Sequence, residues 1–193
     1  MAPNPASAFS RLIALLSALR AVTPHSTESP VSILWTNICI VFFPLASGFK
    51  FYNKQTVRHP NQEVDCVILQ VSAVTSSFTD PQEKVIRIMQ CKRPSKDTPE
   101  WESARAQLAQ YCEGNANRTS RIFGATAIGT KVRFWRYDHL ILAPLIPEVD
   151  TCDFVDGNSG YQAERCLEYI RGTGWDWAQS GVRLPSGGEG GSD

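Results

Sequence analysis

The sequence predicts one α/β domain, a mixed central β-sheet flanked by helices in the order α-α-β-β-β-α-β-β-α. Three observations predict it. Three strand-like apolar runs precede an amphipathic helix, and two further strands follow it around Gly129-Thr130. The 193 residues are 42% hydrophobic and 20% charged, which suffices to bury one core and excludes a disordered tail protein. No internal repeat is visible, which excludes a collagen-like chain.

Each element has a local reason. Phe9, Leu12, Ile13, Leu16 and Leu19 recur at helical spacing, so residues 1–24 read as an amphipathic helix. Arg11 and Arg20 inside it argue against a secretory signal. Thr27-Glu28-Ser29-Pro30 supplies a cap, a first-turn acid and an early proline for a buried helix over Val31–Phe43. The apolar run 31–46 is interrupted by Thr36 and Asn37 and ended by Pro44, too short to span a bilayer comfortably. Phe49–Val57 reads as a strand, His59-Pro60-Asn61 as a turn, and Val64–Val74 as a long buried strand that forms a hairpin with Val85–Lys92.

Pro94 and Pro99 then punctuate a loop, and Thr98 offers an N-cap with Glu100 and Glu102 in the first turn. The helix that follows carries Trp101, Ala104, Leu108, Tyr111 and Cys112 as one apolar stripe closing at Gly114. Arg121–Ile128 and Lys131–Asp138 flank Gly129-Thr130 as a hairpin. Gly157-Asn158-Ser159-Gly160 breaks the chain before a last helix around Tyr161–Arg171. Residues 25–172 are thus the domain proper, and 173–193 read as a flexible tail.

Formal net charge is zero, but its distribution is uneven. Residues 81–140 hold 11 Lys and Arg against 6 Asp and Glu, while residues 139–193 hold 3 against 9. A basic middle suits a polyanionic partner, and an acidic end can shield it. The 6 cysteines show no CxxC or Cys/His metal spacing, and Cys66 and Cys91 lie in apolar strand runs. They read as reduced, buried thiols of an intracellular protein, nuclear or cytoplasmic, with secretion the lesser alternative and no membrane partner.

The stretch that carries chemistry is Val85–Pro94. Alternation puts Gln90 and Lys92 on one face with Ile86 and Ile88, and Cys91 on the other. Asp65 opens the preceding strand, so the hairpin brings a carboxylate, an amide oxygen and an ammonium to one spot. Hard oxygens of this kind suit Mg²⁺, and a lysine can orient a water and neutralise charge growing on a phosphate.

This arrangement resembles the PD-(D/E)xK nuclease superfamily, whose fold is restriction-endonuclease-like. Short fungal members and the nuclease-like domains of Crinkler-type effectors are the nearest in look. The resemblance spans about residues 28–138. It implies a metal site for Mg²⁺ or Mn²⁺ formed by Asp65, Gln90 and the Cys91 carbonyl, with Lys92 as the catalytic lysine. It matches Gln107-Leu-Ala-Gln-Tyr111 to the QxxxY element of the RecB-like branch, so that Gln107 and Tyr111 support the site or contact the nucleic-acid phosphate backbone, and Glu28 to an additional acid. The implied activity is phosphodiester hydrolysis in DNA, with RNA the other candidate. The alternative is a catalytically inactive nuclease-fold module that binds nucleic acid or a protein.

Two departures stand out: Val64 occupies the proline position, and Gln90 the second acid position, which removes a negative charge. Glu63 is on the same face as Asp65 and could supply that charge. Read alone, Glu28 is an ordinary first-turn acid, and Gln107 and Tyr111 a half-buried helix face. Arg93, Lys131 and Arg133 suit a nucleic-acid backbone, with Trp135 beside Arg133 for a stacked base, or are solvated charge. Trp35, Trp101 and Phe134 are assigned to the core.

Overall fold

The computed structural model describes residues 13–56, 66–74, 80–96, 98–115 and 119–180. Helices α1 (Ile13–Ala21) and α2 (Glu28–Phe42) lead through a 3-10 turn at Leu45–Ser47 into β1 (Phe49–Thr56), β2 (Cys66–Val74) and β3 (Glu83–Lys92). Helix α3 (Thr98–Asn115) is followed by β4 (Arg121–Ile128), β5 (Lys131–Asp138), β6 (Ile141–Pro144), β7 (Cys152–Asp153) and α4 (Gly157–Ser180). The predicted order is present, with β6 and β7 added.

The strands form one sheet in the order β1-β2-β3-β4-β5-β6, and β7 shares the outer edge of β5 with β6. Among the described strands, neighbours are antiparallel except β3 and β4, which are parallel. A parallel step needs a crossover, and α3 supplies it. Pleating then sorts the side chains. Leu69, Met89, Cys91, Ala125, Val132 and Phe134 pack with α2 and α4 in the larger core. Ile88, Ile122, Trp135 and Tyr137 face Leu108 and Cys112 of α3 in a smaller one. Among the described residues no helix is long and apolar enough to cross a membrane.

One face assignment is corrected. A register shift between Val71 and Ser72 bulges β3, and Ile86 joins the larger core instead of the Gln90 and Lys92 face. There it meets α4 so closely that a Cβ added at Gly174 would lie 3.0 Å from its own Cβ. The tail boundary changes with it. Residues 173–180, expected to begin a flexible tail, are the end of α4. Gly172 and Gly174 weaken this helix locally, but packing overrides propensity. Trp177 is buried, stacks on Phe123 at 5.8 Å, and has the Arg121 and Arg136 guanidinium carbons 5.5 and 5.4 Å from its ring.

Cys39, Cys91, Cys112, Cys152 and Cys166 are buried and unbridged, and burial pushes the Cys112 and Cys166 thiols up to about 12. The core also holds an arginine. Arg87 is wholly enclosed, with Nη1 on Cys39 Sγ at 3.5 Å, Nη2 on Met89 Sδ at 3.3 Å, and the Phe43 and Phe134 rings within 5.9 Å. Among the described residues its Nε has no hydrogen-bond partner and no carboxylate pairs with it. Sulfur and ring faces are weak substitutes for water around a cation. Arg87→Met is therefore expected to leave stability unchanged or raise it by about 1–3 kcal/mol, read as the urea midpoint at constant slope.

Candidate functional site

The site is built at the C-terminal end of β3. Gln90 lies opposite Ile68 on antiparallel β2 and beside Thr126 on parallel β4. Gln90 is fully buried and Lys92 is 5% exposed, so both are roofed although they end an otherwise apolar strand. Ile88 shares their face, whereas Cys91 points into the opposite core, as alternation requires.

Helix α3 supplies the roof. Its stripe of Trp101, Ala104, Leu108 and Cys112 is buried, which turns Gln107 toward the sheet as a half-buried neighbour. Gln90 Nε2 donates to Gln107 Oε1 at 2.5 Å. Gln90 Oε1 is left buried without a hydrogen-bond partner among the described residues. Such an oxygen costs free energy unless something binds it. Lys92 is comparable: among the described residues no carboxylate pairs with its ammonium. Its backbone oxygen accepts from Gly129 N at 3.2 Å, which fixes the strand end against the β4–β5 turn.

Just past Lys92 the chain opens onto a polar cavity of about 370 Å³, lined by His25, Ser26, Glu28, Arg93 and Glu100 among others. The first turns of α2 and α3 meet there, and Glu28 and Glu100 offset the positive ends of their dipoles. Glu28 and Arg93 are thus brought to one cavity, beside the β3 end. His25 and Glu100 were missed as site residues. Glu100 reads in sequence only as a first-turn acid, and nothing in the sequence singles out His25.

The remaining candidates divide. Tyr111 is half-buried on α3, and Lys131 is exposed at the start of β5. Arg133 is already engaged: Nη2 pairs with Asp150 at 2.7 Å, Nε donates to Thr151 at 2.9 Å, and its guanidinium lies 4.3 Å from the Trp101 ring centre. Trp135 is 6% exposed and gives its indole N–H to Thr126, so it offers no ring for a stacked base. Asp65 and Glu63 lie outside the described residues.

No protein-family model, curated protein or solved structure matches the chain.

A divalent ion can be tested against the donors present. The unpartnered Gln90 Oε1 is a hard oxygen at the position the resemblance assigns to a ligand, and Glu28 and Glu100 add carboxylates to the adjoining cavity. This donor set suits Mg²⁺ or Mn²⁺ rather than a soft metal. Among the described residues no three acidic, His or Cys side chains cluster closely enough to hold an ion without further help.

Proposed function

We propose that this chain is a metal-dependent nuclease-like protein of the PD-(D/E)xK type, hydrolysing phosphodiester bonds in DNA, or alternatively in RNA. The observation that carries the reading is the end of β3. An orphan amide oxygen and a roofed ammonium without a described counter-charge stand two residues apart on one face. Both are groups that a bound metal and phosphate would satisfy. The three antiparallel strands, crossover helix and parallel fourth strand agree with a restriction-endonuclease-like core. Buried, unbridged thiols fit a nuclear or cytoplasmic setting.

Asp65, Gln90 Oε1 and the Cys91 carbonyl would hold Mg²⁺ or Mn²⁺, with Glu28 as the additional acid. Bound there, the ion supplies Lewis-acid polarisation of the phosphate and a more acidic water. Lys92 neutralises charge on the phosphate oxygens and orients the attacking water. Gln107 holds the Gln90 amide so that its oxygen keeps one direction. Arg93, Tyr111 and Lys131 contact the nucleic-acid backbone; Arg133 does so only by giving up Asp150.

A second reading has its own support. Gln90 is uncharged, fully enclosed and already bonded to Gln107, as in a nuclease-fold module that binds nucleic acid or protein without turnover. Gln90→Glu separates the two. A carboxylate at 90 restores the missing charge, so a nuclease is expected to need about tenfold less Mn²⁺ for half-maximal cleavage. The assay is cleavage of single- and double-stranded DNA and RNA across a Mg²⁺ and Mn²⁺ titration, with chelator controls. No metal-dependent cleavage by either protein, alongside retained salt-sensitive binding, establishes the second reading instead.

A further inference from the structure

A second cavity of about 370 Å³ lies between α4 and the segment after β6, on the sheet face away from Gln90 and Lys92. Leu145, Ile146 and Val149 form one wall, and Cys166 and Tyr169 of α4 the other. A smaller cavity shares Ile146, Val149 and Cys166 with it and borders Val132 and Phe134 of β5. The volume is that of a small-molecule site, and the wall is mainly aliphatic and aromatic. The polar side chains are Gln162 and Arg165, on successive turns of α4, with the Tyr169 hydroxyl and the Cys166 thiol beside them, and Arg165 is the one charged group of the lining.

Arg165 is exposed, and among the described residues no carboxylate pairs with it, although Glu164 and Glu168 lie close in sequence. One unpaired cation beside an apolar wall complements a ligand with a single anionic head and an apolar body. A polyanion is disfavoured, because the cavity lining carries a single cation, Arg165.

We propose that this cavity binds a medium-chain aliphatic monocarboxylate. The tail lies against Leu145, Ile146, Val149 and Tyr169, and the carboxylate accepts from Arg165 and Gln162. The site is independent of the nuclease reading.

The full-length protein is titrated by calorimetry with decanoate and with 1-decanol, both below their aggregation limits. Decanoate is expected to bind about three- to tenfold more tightly than the alcohol, and Arg165→Gln to remove that difference. Val149→Trp fills the cavity and is expected to abolish binding of both. Should that variant unfold, amide shift changes in the wild-type protein replace it, expected at residues 145–149 and 162–169. The proposal is overturned by no binding of either probe, by equal wild-type affinities for acid and alcohol, or by shift changes centred elsewhere.

Discussion

Lys92→Met is expected to lower metal-dependent cleavage by about 10²–10³-fold while nucleic-acid binding falls by less than tenfold. Methionine keeps the unbranched stem that packs under α3 and removes only the charge, so the loss is not one of folding. The ammonium is 5% exposed and no carboxylate among the described residues pairs with it; on the nuclease reading, a substrate phosphate is its counter-ion. Cleavage rates at saturating Mn²⁺, fluorescence anisotropy with labelled DNA, and thermal melting of both proteins make the measurement. Undiminished cleavage by the variant would remove Lys92 from the mechanism and the nuclease reading with it. The same substitution informs the second reading: without turnover, losing a buried charge that no carboxylate among the described residues pairs with should raise stability by about 1–3 kcal/mol.

Trp35→Ala is expected to cost about 5 kcal/mol, comparable to the whole stability of many domains. Trp35 is completely buried in α2, meets Phe154 edge-to-face at 5.1 Å, and donates Nε1–H to the Gly129 carbonyl at 3.0 Å. Truncation opens a cavity and leaves that buried carbonyl without its donor. Trp35→Phe refills most of the volume and loses mainly the hydrogen bond, so about 1–3 kcal/mol is expected. Urea titrations at constant slope measure both: equal midpoints for the two variants would mean that the cavity does not matter there, and a Trp35→Phe midpoint equal to that of the wild type would mean that the hydrogen bond does not. The turn at Gly129 is the more sensitive because its φ is 61°, and an added Cβ would crowd Pro94 at 3.2 Å.

Much of the fold was legible because local and tertiary signals agreed. The Gly129-Thr130 turn and the alternation on either side fix β4 and β5 to the residue, and the Trp101-to-Cys112 stripe fixes α3. Strand β6 escaped because its turn uses His139 and Leu140 at φ 44° and 72°, where no glycine or asparagine announces a positive φ. The end of α4 escaped because what sustains it is remote: Ile86 against Gly174, and Phe123 against Trp177. At the site, period-two reasoning placed Gln90 and Lys92 correctly together and misplaced Ile86, since a bulge leaves no mark in composition. Burial was the quantity least visible. Arg133 and Trp135 look like a nucleic-acid surface in sequence, yet Trp101, Thr126 and Asp150 already satisfy them.

The parallel seam between β3 and β4 has a kinetic consequence. On either side of it, β1 to β3 and β4 to β6 each pair with their neighbours in the chain, and only the short β7 reaches back to β5, so each half of the sheet can zip from mostly short-range contacts. Joining Arg87 to Phe123 instead requires the whole α3 crossover to close first, which concentrates the entropic barrier there. The two halves are therefore the natural early units of assembly, and docking of α3 is the event that commits them to each other.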